Sequence, residues 1–373
     1  MKTAIIHDWL YTYAGAERVL EQLLAIWPQA DVFTLIDRLP SSERKHLLGT
    51  SKVYTSFLQN WPFVSRNHRV WLPFFPLAIE QFDLSDYDFV VSSSYAVAKG
   101  AMAGPLQKHL CYCHSPMRYA WDLQAQYLKE SGLNRGLKGV LARAILHYIR
   151  IWDAASSPRV DLFVANSLFV KDRIRRCYGR SAEVVHPPVD TNFFHPGTDR
   201  EDFYVTTSRM VPYKKVGLVV EAFSKMPDHR LVVIGDGPDM GHIQKIAGPN
   251  IELMGFQSRD ILRDKLQKAK AFVFAAEEDF GIAPVEAQAC GTPVIAFGKG
   301  GVRDSVMPLG VSCPTGIFFD RQDCASICET VHQFEENQAA FRAENCRKNA
   351  ERFSPEAFRG SMETLSERLL QGI

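Results

Sequence analysis

The chain has 373 residues, which at roughly 150 residues per domain points to two domains or three. Hydrophobic residues make up 46% and charged residues 23%, a mix that excludes disordered, collagen-like and coiled-coil chains. Lys and Arg total 43 against 42 Asp and Glu, and a net charge of +1 argues against a generally basic nucleic-acid binder.

Residues 3–7 predict a short buried strand. A turn with Gly15 follows, then a helix with apolar positions at Val19, Leu20, Leu23, Leu24 and Trp27, and a second strand over 31–36. Strand, helix, strand is the βαβ unit. Further strands are expected at 89–93, 109–113 and 162–165, and their continuous apolar character fits a parallel sheet covered on both faces. The prolines of 185–196 forbid a regular helix, so this segment reads as an interdomain linker. The rhythm then restarts, with strands expected at 203–206, 231–234, 251–254, 271–274 and 293–296. A final helix follows Ser354 as its cap and Pro355 at its first position. The expectation is an α/β chain of two Rossmann-like, doubly wound parallel-sheet domains facing a cleft. An N-terminal domain would occupy 1–190 and a C-terminal domain 191–355, with a helix over 356–373 that crosses back to the first. Ligands of such sheets bind outside the carboxyl ends of the strands.

The eight cysteines read as reduced thiols, because no signal-peptide core precedes them. His109-Leu110-Cys111-Tyr112-Cys113-His114 has strand spacing and no matching Cys/His pair nearby, so buried thiols are expected rather than zinc. Asp86-Tyr87-Asp88 imitates a metal-binding Asp-x-Asp, but it precedes a strand and reads as a turn. No metal and no resident cofactor is expected.

Four features cluster in 205–301. Ser208-Arg209-Met210-Val211-Pro212-Tyr213-Lys214-Lys215 sets cations at a strand's carboxyl edge, which suits a diphosphate; a solvated turn is the alternative. Gly235-Asp236-Gly237 permits a sharp turn and close approach of a ligand, without the third glycine of a dinucleotide fingerprint. Glu278-Asp279-Phe280-Gly281-Ile282-Ala283-Pro284-Val285-Glu286 brackets a helix start with two carboxylates, and the N–H groups there can bind phosphate. Gly298-Lys299-Gly300-Gly301 alone signals only a flexible turn.

Together these residues resemble the retaining glycosyltransferases of the GT-B fold, family 4 (GT4), over essentially the whole chain. Glu278 and Glu286 match the Glu-x7-Glu element, and Arg209 and Lys214 the Arg-x4-Lys pair. Lys215 stands where a glycine often follows the lysine. Only Gly15 remains of the Gly-Gly pair common in the first loop. Tyr112-Cys113-His114-Ser115-Pro116-Met117-Arg118-Tyr119-Ala120-Trp121-Asp122 resembles a segment of bacterial O-antigen mannosyltransferases.

The resemblance implies mannose transfer from GDP-mannose to a lipid-linked oligosaccharide in O-antigen or lipopolysaccharide biosynthesis. Arg209 and Lys214 would hold the donor diphosphate, Glu286 the ribose, and Glu278 the sugar hydroxyls. Backbone groups at Gly15, Phe280, Gly281 and Ile282 would bind sugar or phosphate oxygens. His114 would lie beside the transferred sugar, with a hydrogen-bonded core histidine as its alternative reading. Retention would proceed by attack on the face the diphosphate leaves, with a covalent adduct on Glu278 as the competing route. The alternatives are another GDP- or UDP-sugar, a nucleotide-sugar epimerase on the same fold, a non-catalytic sugar-nucleotide sensor, and an NAD enzyme, which the missing fingerprint disfavours.

Residues 61–76 are rich in aromatics and proline and include Arg66 and Arg69. Residues 131–160 carry Arg135, Lys138, Arg143, Arg150 and Arg159 against Asp153, beside Leu133, Leu137, Leu141, Ile145 and Ile149. A basic amphipathic helix suits an anionic membrane surface; core packing with a solvated face is the alternative. The expected location is cytoplasmic, peripheral on the inner face of the cytoplasmic membrane. The charge divides accordingly: 1–190 hold 22 basic and 17 acidic side chains, and 191–373 hold 21 and 25.

Overall fold

The computed structural model describes residues 1–64 and 68–372. The chain divides into two compact units, Met1–His186 with Phe358–Ile373, and Pro187–Ala357. Among the described residues each unit carries one parallel sheet.

The first sheet comprises β1 (Thr3–His7), β2 (Asp31–Thr34), β3 (Val53–Thr55), β4 (Phe89–Ser94), β5 (Lys108–Cys113), β6 (Leu162–Ala165) and β7 (Glu183–Val184), in the order β3-β2-β1-β4-β5-β6-β7. Alternate residues leave opposite faces, as the strand period requires. Ala4 and Ile6 enter one apolar cluster with Val90, and Ile5 enters another with Phe89 and Val91. The helix Gly15–Ile26 turns Val19, Leu20, Leu23 and Leu24 onto that second face. Burying one such leucine stabilises the fold by about 1.5–3 kcal/mol.

The second sheet comprises β8 (Tyr204–Thr207), β9 (Leu231–Ile234), β10 (Ile251–Gly255), β11 (Ala271–Phe274), β12 (Val294–Phe297) and β13 (Gly316–Phe319), in the order β10-β9-β8-β11-β12-β13. Phe272 and Phe274 face one cluster, Ala271 and Val273 the other. In both sheets the winding reverses beside the first strand, between β1 and β4 and between β8 and β11. Two crossovers diverge there, and sheets of this kind bind ligands outside the strands' carboxyl ends at such a point.

The proline-rich segment is not a free tether. Val189 and Phe194 are wholly buried in the second unit's core, and Val189 N–H donates to Phe353 O at 2.8 Å. The last helix, Pro355–Gln371, sets Phe358 and Met362 into the first unit's core, and the Phe358 ring meets Tyr112 edge-on at 5.5 Å.

The helix Gly136–Ser156 begins after Leu133. Residues four apart advance 40° around a helix axis, so the every-fourth pattern winds off one face. Ile149 is buried, Ile145 packs against the core, and Leu141 and Leu137 are 61% and 87% exposed. The exposed apolar stripe is instead Leu137, Val140, Leu141, Tyr148 and Ile151. Arg150 donates to Ala120 O at 2.6 Å, and Arg159 pairs with Glu80 at 2.6 Å, so these two cations serve the interior of the unit. In 61–76, Trp61 packs against Trp71 and Phe74, while Phe63 is exposed. Arg66 lies outside the described residues. Among the described residues no helix is long and apolar enough to cross a membrane.

Candidate active site

In the second unit the site residues follow the strands flanking the switch point. Arg209 and Lys214 come after β8, Glu278 after β11 and Gly300 after β12. Lys214 Nζ donates to Glu278 Oε1, and the two side chains are only 18% and 17% exposed. A cation and a carboxylate are thus held against each other at the end of the second sheet. Partial burial strengthens such a pair relative to one in water. Arg209 is exposed and makes no ion pair among the described residues.

The glycine loop after β12 is structural as well as permissive. Gly301 N–H donates to Glu278 O at 2.8 Å, and Glu278 bridges Gly300 in a parallel register. A Cβ on Gly300 would meet Glu278 O at 2.4 Å, and one on Gly301 would meet Asp279 O at 2.1 Å. Only glycine allows the two turns to close on each other. The Gly235–Gly237 turn acts similarly: a Cβ on Gly235 would lie 1.9 Å from Ser208 O, and Met210 N–H donates to Asp236 O at 2.9 Å. These glycines admit the Ser208–Met210 segment rather than holding room for a ligand.

Gly281 caps the helix Ile282–Ala289 at φ 87°, a backbone that L side chains resist. The first-turn amides of that helix form a natural anion cradle. Phe280 anchors the turn, its buried ring 5.5 Å from Phe353. Glu286 is 6% exposed, inside the helix. The nearby Cys290 thiol is pushed up to about 12, mainly by burial, with the Glu286 charge adding.

In the first unit, His114 follows β5, and its Nε2 lies 2.9 Å from Ser93 Oγ. Its carbonyl accepts from Asn166 Nδ2 at 2.9 Å, and Tyr95 and Tyr112 flank the ring edge-on. Burial lowers its pKa to about 3, so the ring is neutral at physiological pH. His7, which the sequence did not single out, ends β1, and Asp8 follows it. The Asp8 carboxylate accepts from the amides of Tyr95 (2.7 Å), Ala96 (2.9 Å), Val97 (2.6 Å) and Ala98 (2.8 Å). Burial still raises its pKa against the pull of those amides. Gly15 opens its helix, where Glu17 Oε2 accepts from Ala14 N–H at 2.9 Å.

The rest of the His114 segment anchors the fold. Trp121 Nε1 donates to Asp153 at 2.7 Å, where buried Lys99 also binds at 2.8 Å, and Asp122 pairs with Arg173. Cys111 and Cys113 are buried, and His109 turns to Ser92 Oγ at 2.8 Å. Asp88 accepts from Lys2 N–H at 2.6 Å. Among the described residues no group of three or more His, Cys, Asp or Glu is gathered to hold a metal.

Comparison with known proteins agrees with this architecture. Residues 13–193 match the model described as Glycosyltransferase Family 4, and 189–353 match Glycosyl transferases group 1. The D-inositol 3-phosphate glycosyltransferase of Mycobacterium avium (strain 104) is 33% identical over 154 residues, covering 33% of this chain and 35% of that protein. That of Mycolicibacterium smegmatis is 29% identical over 194 residues, covering 46% and 44%. The chain thus spans less than half the length of these curated relatives. The Anabaena Alr3699/HepE structure in complex with UDP superposes with a TM-score of 0.71 at 17% identity, covering 98% and 100%. Sucrose-phosphate synthase (tll1590) from Thermosynechococcus elongatus gives 0.74 at 18%, covering 100% of both chains. With one model over each half, and the same doubly wound sheet in each unit, the chain belongs to the family 4 glycosyltransferases of the GT-B fold.

Proposed function

We propose that the protein is a retaining α-mannosyltransferase that moves mannose from GDP-mannose to a lipid-linked oligosaccharide acceptor in O-antigen or related polysaccharide synthesis. The observation that carries the transferase reading is the Lys214–Glu278 pair at the second sheet's switch point, braced by Gly300 and Gly301. Arg209 and Lys214 neutralise the diphosphate as its bond to the sugar breaks. Removing one such donor typically costs about 10²–10³ in rate. Glu286 binds the nucleotide ribose, Glu278 the sugar hydroxyls, and the amides of Phe280, Gly281 and Ile282 the sugar or phosphate oxygens. In the first unit Gly15 offers a backbone contact, and His114 orients the transferred sugar. Glu278→Gln is expected to slow turnover, and mass spectrometry of the wild type during turnover to trap no sugar on the protein; a trapped adduct would overturn front-face attack.

The mannosyl donor and the acceptor rest on the resemblance of residues 112–122 to O-antigen mannosyltransferases. A second donor reading, a UDP-sugar, is favoured by the Anabaena Alr3699/HepE complexes with UDP and with UDP-glucose. Incubation with each sugar nucleotide, with and without an extracted lipid-linked acceptor, separates the readings. Transfer only with acceptor supports a transferase, conversion of donor alone an epimerase, and binding without turnover a sensor. Activity is expected to survive a chelator, and full loss would reverse the no-metal reading.

The acceptor side is proposed to rest on anionic lipid at the inner face of the cytoplasmic membrane. Leu137, Val140, Leu141 and Ile151 are exposed on one helix, with Arg135, Lys138 and Arg143 exposed nearby. Apolar and basic groups side by side suit such a surface. Binding to anionic vesicles at low salt, lost in Leu137→Asp/Leu141→Asp, is the expected result; no binding would end this reading.

A further inference from the structure

Three side chains of the first unit form a line that ends on His114. His7 closes β1 and pairs in register with Ser93 of β4, so both project from one face of the sheet. His7 Nδ1 lies 3.2 Å from Ser93 Oγ, which lies 2.9 Å from His114 Nε2. On its far side His7 Nε2 points to Glu17 Oε1 at 3.5 Å, a charge contact longer than a hydrogen bond. His7 and Ser93 are wholly buried and Glu17 nearly so. Among the described residues that Nε2 has no hydrogen-bond partner.

With both rings uncharged, proton counting gives one arrangement. An ionised Glu17 can only accept, so His7 carries its proton on Nε2, beside the carboxylate, and leaves Nδ1 bare. The single Ser93 hydroxyl proton then goes to His7 Nδ1. The Ser93 oxygen accepts in turn from His114 Nε2–H, and His114 Nδ1 keeps its lone pair. The reversed chain would leave a bare His7 Nε2 facing the Glu17 carboxylate, acceptor against acceptor, so one proton pattern is held.

We propose that Glu17, His7 and Ser93 are positioning residues that fix His114 as its Nε2–H tautomer, so that Nδ1 accepts a hydrogen bond from a hydroxyl of the transferred sugar. The tautomer follows from this geometry; the sugar contact rests on the glycosyltransferase reading. A bare Nδ1 favours a hydroxyl and repels acceptor-only oxygens such as those of phosphate.

The test uses the full chain labelled with ¹⁵N-histidine, with long-range proton–nitrogen correlation spectra at neutral pH. The His114 ring is assigned by its loss in His114→Gln. The wild type is expected to show a protonated Nε2 and a bare Nδ1. In Glu17→Gln the amide of Ala14 still holds the introduced carbonyl, since Ala14 N–H donates to Glu17 Oε2 at 2.9 Å. The introduced NH2 therefore faces His7. His7 then donates from Nδ1, Ser93 donates to His114, and the His114 proton moves to Nδ1. Ser93→Ala breaks the line, and Ser93→Thr restores it. A wild-type His114 protonated on Nδ1, or a pattern unmoved by both Glu17→Gln and Ser93→Ala, overturns the proposal. Where the proton moves, turnover in Glu17→Gln is expected to fall about tenfold, the worth of one hydrogen bond, with donor KM little changed. A moved proton with unchanged turnover upholds the relay and overturns the sugar contact.

Discussion

Lys215 sits at φ 57° and ψ 25°, the left-handed conformation that glycine adopts without strain. It ends the short turn holding Lys214, so its strain is stored beside the site. Lys215→Gly is expected to stabilise the second unit by about 1 kcal/mol in chemical denaturation, leaving nucleotide affinity unchanged; destabilisation would contradict the strain. A pH effect belongs to the first unit. Burial lowers His109 to about 4 and His114 to about 3. The unfolded chain binds these protons near pH 6.5, the native fold only well below that. The native state therefore loses stability as pH falls from about 6.5 toward 4, by up to a few kcal/mol per ring. The first unit's thermal midpoint should drop over that window, less so in His109→Asn; a midpoint rising on acidification would contradict the assignment. At this scale the sequence carried His114 by its place after an apolar strand. Its partners were invisible, because His7 and Ser93 become neighbours only once β4 pairs with β1.

Glycine loops and strand ends decide the geometry between elements. Gly298-Lys299-Gly300-Gly301 reads in sequence as a flexible turn, yet Gly300 and Gly301 lie against the backbone of 278–280. Close approach of two backbones leaves no trace in a linear pattern. Gly301→Ala forces a Cβ to within 2.1 Å of Asp279 O and is expected to destabilise the second unit by about 2–4 kcal/mol and to abolish nucleotide binding. Gly241→Ala, in a helix with nothing within 4 Å, is the control and should stabilise by up to about 1 kcal/mol. Equal effects of the two substitutions on calorimetric unfolding would refute the packing account. The helix Gly136–Ser156 was legible as a helix, but its exposed stripe was not. A four-residue repeat drifts around the axis, and only the buried side of the first unit decides which leucines stay in water.

Across the whole chain, one strand order appears twice. Apolar runs bounded by turns made most of its strands legible. β3 and β7 escaped because they are short edge strands with exposed positions, and β13 because four residues opening on glycine carry little signal. Strand order itself is not written in periodicity, and it is the order that makes β1–β4 and β8–β11 the switch points. Each switch point has its own candidate residues: His7, Ser93 and His114 in the first unit, and Arg209, Lys214 and Glu278 in the second. The first half is basic and the second acidic, yet the cations proposed for phosphate lie in the acidic half. The proposed phosphate recognition is therefore local, resting on two side chains and a helix start. The most direct test is a thermal-shift panel of GDP, UDP, ADP and their sugars on the wild type, Lys214→Ala and Glu286→Ala. The account predicts stabilisation of the wild type by GDP and GDP-mannose, roughly 2.7 kcal/mol at 100 times the dissociation constant, and loss of most of it in both variants. A UDP-only shift would replace the donor, and no nucleotide shift, or equal shifts in all three proteins, would contradict the site.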